Sequence, residues 1–450
     1  MSNFWKKVLI IGIPVALQNL INNLLNMIDT LMLSSLSGNY VPAVGFANKI
    51  FFVFSLLTFG ITSGCSVLTS QFYGKGDNKG LNKSFGFSIV LALSAGLLFG
   101  GASILVPETL MTIFTADQSM IEIGAGYLRI CGISYIFTSI SFSIVAMLKS
   151  VNRTSVPMYV TIGCVCINLI VNYIFIFGKF GAPMLKAQGA AYGTVIARAV
   201  ELTALILYLK FAKKDFKLKS KDMFSFDKPF KRRIIKVSWP VIANEFAWGL
   251  GTMLYSVIYG RMPNAHPYVM TVAAVVQDLA WAFLLGISNA CAIIVGNQLG
   301  ASRFEDAKKS AGKLLKANFL LGLGLGLILV LISPIYPNIY QGLSSIERKY
   351  LTLVLIIFAI SFPIKAFNLT NVCGVLRSGG DTVFCMALDI GGVWGVALPF
   401  GILSAFIFKA PLPIVYAFIL SEELVKIFIS YYRFRQYKWV RNIVHLNDAI

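Results

Sequence analysis

The run "ALQNLINNLLNMIDTLML", residues 16–33, lies inside an apolar segment with no lysine or arginine from Val8 to Leu36. About 20 mostly apolar residues suffice for a helix to cross a bilayer, so this segment is long enough to span one. Yet it carries Gln18, Asn19, Asn22, Asn23, Asn26 and Asp29. Gln18, Asn22, Asn26 and Asp29 recur at steps of four, four and three, which sets them along one stripe of an α-helix. Hydrocarbon offers such a stripe no partner, so it must face other helices or an aqueous cavity. The segment therefore reads as a spanning helix whose polar face is turned into a bundle.

Working outward, the chain repeats this kind of window. "FGFSIVLALSAGLLFGGASILVP" (85–107) and "ANFLLGLGLGLILVLISPIY" (317–336) are further examples, within a chain that is 57% hydrophobic and 13% charged, with a mean hydropathy of +0.76. Twelve such windows can be marked, the first near 8–34 and the last near 411–431. Continuous apolar windows mean helices rather than a strand-built barrel, because each spanning segment must satisfy its own backbone. The expected fold class is an all-α polytopic membrane protein with twelve transmembrane helices.

The net charge of +20 is a topology signal. Loops on the side of the N-terminus carry 27 of the 39 Lys and Arg, and the opposite loops carry six. The positive-inside rule then places both termini in the cytoplasm. A nucleic-acid partner would need a basic soluble domain, and the spans leave no room for one. "MSNFWKK" followed by so long an apolar run does not read as a cleaved signal peptide. The seven cysteines fall within or at the ends of spans without disulfide or metal-ligand spacing, and His266 and His445 are the only histidines. No metal and no organic cofactor is expected. A membrane enzyme would need clustered His, acid or nucleophile motifs, and none emerges.

Residues 210–236, "KFAKKDFKLKSKDMFSFDKPFKRRIIK", form the one long polar stretch, read as a solvated cytoplasmic linker near anionic headgroups. It divides the chain into six spans and six. The expected organisation is an N-lobe at 1–209, the linker, a C-lobe at 237–431 and a cytoplasmic tail at 432–450. The lobes look like copies. "LTSQFYGKGDNKG" (68–80) and "IVGNQLGASRFED" (294–306) are separated by the same sequence offset as Pro14 and Pro240. "MLKSVNRTSV" (147–156) and "VLRSGGDTVF" (375–384) match at an offset only two positions longer. An even number of spans per copy makes the repeat parallel, a transporter architecture with the substrate site between the halves.

Pro14 with "MIDTLMLSSLSG", then "QFYGKGD", "LKSVNRTSVP", "GAAYGTVIAR" and "VLRSGGDT", taken in order, resemble the multidrug and toxic compound extrusion (MATE) family over essentially the whole chain. The pattern resembles its DNA-damage-inducible F (DinF-like) bacterial branch most. The resemblance implies two pseudo-symmetric six-helix lobes in the bacterial inner (plasma) membrane. It also implies export of organic compounds in exchange for H⁺ or Na⁺, with Pro14 as the helix-1 hinge and Asp29, fifteen residues on, as the protonation site.

Ionisable groups inside spans are costly and ask for a partner or a wet cavity. Arg198 with Glu201, and Glu423 with Lys426, are three apart, meet on one helix face, and read as structural pairs toward the cytoplasmic side. Asp29 has no cation on its span, only amides, which suits a carboxylate that must gain and lose a proton or cation. Asn168 and Asn172, four apart in "INLIVNYIFIFG", are expected to join Gln18, Asn22 and Asn26 in an N-lobe cavity. The resemblance sets Asn172 where archaeal relatives have an acid, which leaves Asp29 as the unpaired acid of that lobe. The C-lobe candidates are Asn244, Glu245, Asp278, Lys365 and Asp389, with Lys365 expected to neutralise Glu245, Asp278 or Asp389. The Na⁺-associated NorM-like cation pair is not reproduced, since Ala366 stands at one of its positions.

These readings lead to a cation-coupled antiporter, proton-driven, working as a monomer on organic cationic or amphipathic compounds by alternating access. The alternative is a lipid-linked saccharide flippase of the same superfamily, which would favour a basic central cavity.

Overall fold

The computed structural model describes residues 3–36, 39–212, 216–263, 266–340 and 343–444, apart from the side chains of Asn3, Asn26, Met27, Thr30 and Pro267. His445 and the end of the tail fall outside the described residues. Among the described residues there are helices and turns, and no strand.

The helices run α1 (Asn3–Ser34), α2 (Tyr40–Lys75), α3 (Asn78–Leu105), a short α4 (Pro107–Thr112), α5 (Gln118–Ser150), α6 (Ser155–Phe177) and α7 (Ala187–Phe211). A single turn, α8 (Ser220–Met223), precedes α9 (Lys228–Arg261), α10 (Pro267–Gly300) and α11 (Phe304–Ile332). Then come α12 (Ser345–Leu369), α13 (Thr382–Gly392), α14 (Leu398–Ile402) and α15 (Leu412–Arg435). Three π-helical stretches interrupt the last third: Thr370–Leu376, Val393–Ala397 and Leu403–Ile407.

Eleven helical stretches among the described residues are long and apolar enough to cross a membrane. The remaining long helix, α15, has 24 residues, about 36 Å at 1.5 Å per residue, but carries Glu422, Glu423 and Lys426. All three of those side chains are buried.

The chain divides into two compact units. One comprises Leu17–Thr69 and Asp77–Ile235; the other comprises Met1–Ala16, Ser70–Gly76 and Lys236–Ile450. The first end of α1 and the last turns of α2 therefore pack with the second half of the chain, unlike an undivided N-lobe at 1–209. The reason is local packing. Val8 and Ile11 share a buried cluster with Cys291, Leu299, Val375 and Trp439. Gln71 donates to Ser378 O at 2.8 Å and accepts from Ile443 N at 2.9 Å.

The amino-terminal unit holds the basic linker against α3. Asn82 donates to Lys217 O at 2.9 Å, Lys83 pairs with Asp227, and the Phe226 and Phe230 rings pack against Phe87. The stretch is docked through these residues rather than freely solvated; residues 213–215 lie outside the description. In the carboxy-terminal unit the tail is docked too. Trp439 is 0% exposed and stacks on Phe434, and Asn442 donates to Gly300 O at 3.0 Å.

The repeat is visible in backbone geometry. Left-handed φ occurs at Gly76 and Ser302, which are separated by the same offset as Pro14 and Pro240. It recurs at Asn152 and Gly380 and at Gly181 and Lys409, two pairs with the slightly longer offset of the "MLKSVNRTSV" and "VLRSGGDTVF" blocks. Helix packing repeats as well. A Cβ at Gly100 of α3 would lie 2.5 Å from Gly132 O of α5, and one at Gly326 of α11 would lie 2.6 Å from Ala359 O of α12. Each glycine follows another four positions earlier, Gly96 and Gly322, the small-residue spacing that lets membrane helices approach closely.

Candidate functional site in the amino-terminal unit

Five helices of the amino-terminal unit enclose a cavity of about 450 Å³. α1 presents Asn22 and Asp29, α2 presents Asn48 and Ser55, and α5 presents Tyr127. α6 contributes Thr161 and Asn168, and α7 contributes Thr194, Arg198 and Glu201. The polar stripe of α1 thus faces an interior wall, as its helical spacing requires.

Asp29 Oδ1 accepts a hydrogen bond from Asn172 Nδ2 at 2.8 Å, and the same nitrogen lies 3.0 Å from Asn168 Oδ1. Asn172 fits because residue 193 has no side chain: a Cβ at Gly193 would come within 1.9 Å of Asn172 Oδ1. Across the cavity Arg198 Nη1 donates to Glu201 Oε2 at 2.7 Å. Gln18, buried, donates to Thr161 Oγ1 at 3.1 Å and ties α1 to α6. Among the described residues Asp29 has no ion-pair partner within salt-bridge distance. The wall therefore holds two carboxylates against one guanidinium, with amide and hydroxyl groups between them.

The structure brings together Asp29, Asn22, Asn168 and Asn172, with Gln18 beside them. The side chain of Asn26 lies outside the described residues. Pro14 sits within α1, just before that helix passes from one compact unit to the other. Arg198 and Glu201 meet as their spacing predicts, and the structure adds that both line the cavity, with Glu201 only 4% exposed. Spacing alone showed that the two residues meet; it could not show which way their shared face points.

The carboxy-terminal candidates form a separate buried network. Asn244 donates to Asp389 Oδ2 at 3.0 Å, and Glu245 pairs with Arg377 at 2.8 Å. Lys426 lies 3.5 Å from Asp389 and 3.2 Å from Glu422, one turn before it on α15. That corrects the expected Glu423–Lys426 pair. Glu423 instead meets Lys365 at 3.9 Å and accepts from Asn368 at 2.8 Å. Lys365 thus neutralises Glu423 and none of the three acids expected for it, because α12 packs against α15 at that level; its ammonium also lies over the Trp281 ring. The side chain of Asp278 makes no hydrogen bond or ion pair with the described residues, and its backbone lies within α10. Nor do those residues contain a cluster of three or more His, Cys, Asp or Glu able to hold a metal ion.

The family model MatE matches residues 14–174 and 240–403, one block in each half. Among curated proteins, the "Uncharacterized transporter YisQ" of Bacillus subtilis is 26% identical over 425 residues, covering 92% of this chain and 90% of its own. The "Probable multidrug resistance protein NorM" of Thermotoga maritima is 24% identical over 451 residues, covering 99% and 95%. Among solved structures, a MOP superfamily transporter from Pyrococcus furiosus superposes with a TM-score of 0.86 at 18% identity, covering 99% of this chain and 97% of its own. An outward-facing multidrug resistance MATE family transporter of the same superfamily gives the same score and coverage.

Proposed function

The chain belongs to the MatE family of multi-pass membrane transporters, and we propose that it is a proton-coupled antiporter that exports organic cationic or amphipathic compounds. The observation that carries this reading is Asp29, an acid on a membrane helix that faces a cavity and is held by an amide rather than a cation. Such a carboxylate is free to exchange a proton without breaking an ion pair. Relatives named for multidrug resistance support the substrate class. So does the charge of the wall: Asp29 and Glu201 outnumber Arg198, which suits an organic cation better than the phosphate of a lipid-linked saccharide.

In this mechanism the protonated and substrate-bound forms alternate at Asp29, and one lobe rocks against the other with Pro14 of α1 as a hinge. Proline removes a helix hydrogen bond and weakens the turn before it, and α1 changes compact unit between Ala16 and Leu17. Flux measured in proteoliposomes under imposed pH or Na⁺ gradients tests the reading. Export driven by a pH gradient with Na⁺ absent is the expected result. A strict Na⁺ requirement that survives collapse of the pH gradient would overturn proton coupling.

A further inference from the structure

In the carboxy-terminal unit, α11, α12 and α15 border a groove of about 610 Å³ on the flank where α11 starts and α15 finishes. Its walls are apolar and largely aromatic: Phe319, Phe367, Phe428 and Tyr431 line it, and Phe428 is 75% exposed. Among the described lining residues Lys316 alone is charged. It is exposed and makes no hydrogen bond or ion pair with the described residues. A charge on a spanning helix is costly without a partner, and hydrocarbon supplies none.

Gly312 lines the same groove one turn earlier, where a Cβ would meet no atom within 4 Å. Glycine weakens a helix. Gly322 and Gly326 of α11 are required by close packing on α12, but no neighbour requires Gly312. The missing side chain leaves the groove open.

The internal repeat shows what such a flank takes up. Lys83 and Gly86 of α3 are related to Lys309 and Gly312 of α11 by the offset of Pro14 and Pro240. In the amino-terminal unit the linker fills this flank. A Cβ at Gly86 would fall 1.9 Å from Met223 O, the Phe226 and Phe230 rings pack on Phe87, and Lys83 pairs with Asp227. Apolar groups and a carboxylate therefore cover it together. In the carboxy-terminal unit the space at Gly312 is open, and Lys309 is exposed without an ion pair among the described residues. The second copy is also more basic: Lys313, over the Phe4 ring, and Lys316 stand where the first has Phe87 and Val90. Lys309, Lys313 and Lys316 recur at steps of four and three, along one helix face. The nearby acids do not neutralise this row. Glu305 pairs with Lys308, Glu423 pairs with Lys365, and Asp306 makes no ion pair among the described residues.

We propose that this flank binds an anionic phospholipid of the bilayer, with an acyl chain in the aromatic groove and the headgroup at the lysine row of α11. The chain supplies the apolar contact and the phosphate supplies the counter-charge that Lys316 lacks. Basic groups beside spanning helices recognise such headgroups. A zwitterionic lipid brings the same chain, but its ammonium cancels the charge that the lysines select.

Purified full-length protein in detergent is titrated with dioleoyl phosphatidylglycerol or dioleoyl phosphatidylcholine, and retained lipid is counted by native mass spectrometry. Wild type should retain one phosphatidylglycerol in preference to phosphatidylcholine. Lys316→Gln should weaken phosphatidylglycerol binding about fivefold, the effect of one lysine on an anionic headgroup, and leave phosphatidylcholine binding unchanged. Gly312→Leu keeps every charge and fills the groove, so it should weaken retention of both lipids. If Gly312→Leu does not fold, Phe428→Ala, which strips an exposed wall of the groove, decides in its place by the same loss. Equal retention of the two lipids by wild type overturns the proposal. So does undiminished phosphatidylglycerol retention in Lys316→Gln, which would leave the headgroup unplaced, or in the folded groove variant, which would reduce the lysines to a basic surface. A dimer mass that Gly312→Leu abolishes would make a second copy the occupant and overturn it too.

Discussion

Asn172 reaches Asp29 at 2.8 Å and Asn168 at 3.0 Å with one amide nitrogen, so a single side chain of α6 fixes the acid of α1 against the cavity wall. An amide in this place tolerates both charge states of the acid, because its nitrogen can donate to a carboxylate and its oxygen can accept from a carboxylic acid.

The first prediction removes titration and keeps the contact. Asp29→Asn preserves size and hydrogen-bonding capacity, and a neutral amide is easier to bury than a carboxylate. Expression and thermal stability should match wild type while coupled export falls to near background. Pumping at the wild-type rate by this variant would reduce the polar stripe to a structural seam.

Gly193→Ala attacks the same site from behind. The new methyl would lie 1.9 Å from Asn172 Oδ1, so Asn172 must turn away from Asp29. Overpacking of this kind costs about 1–3 kcal/mol. If the clash is the cause, adding Asn172→Ala should return most of that stability without restoring export. A double variant as unstable as the sum of the two would place the strain elsewhere.

Ser220 and Ser344 are both exposed and lie on loops that differ sharply in basic charge. In a cysteine-free background, cysteines placed there should react with an impermeant thiol reagent from opposite faces of the membrane, Ser220 from the cytoplasm. Labelling of both from one face would overturn the orientation drawn from the positive-inside rule.

The docked linker gives a pH prediction. The hydrogen bond from Lys83 holds the Asp227 carboxyl below the ordinary carboxylate range. A depressed folded-state pKa stabilises above the unfolded value, and the contribution disappears as pH falls through the folded value. Asp227 is more than half exposed, so the pair is worth no more than about 1 kcal/mol. Limited proteolysis should cut the linker faster in Asp227→Asn than in wild type at neutral pH, and the two should converge at strongly acid pH. Equal cutting at neutral pH would show that the pair does not hold the linker.

Much of this was legible in the chain. The steps between Gln18, Asn22 and Asp29 marked out a helical face, and exclusion of amides from hydrocarbon told which way it turns. Asn168 and Asn172 followed from the same spacing on another helix. Arg198 and Glu201 were not legible as cavity groups, since spacing brings two side chains together without saying where their shared face points. Lys426 misled for a related reason: Glu422 and Glu423 are both within helical reach of it, and Lys365, which claims Glu423, comes from a different helix, α12. The docking of the first end of α1 with the second half also left no local trace, because apolar residues such as Val8 and Ile11 suit either surface.

The paired left-handed turns have a practical consequence. Gly76 and Ser302, Asn152 and Gly380, and Gly181 and Lys409 share a handedness although no pair shares a residue. Most side chains meet a steric penalty there, and glycine does not. These six positions are natural crossover points for chimaeras: a segment recombined from one half into the other at matched turns meets a backbone already bent the right way. Glycine placed at Ser302 or Lys409 would ease such a graft rather than disturb it.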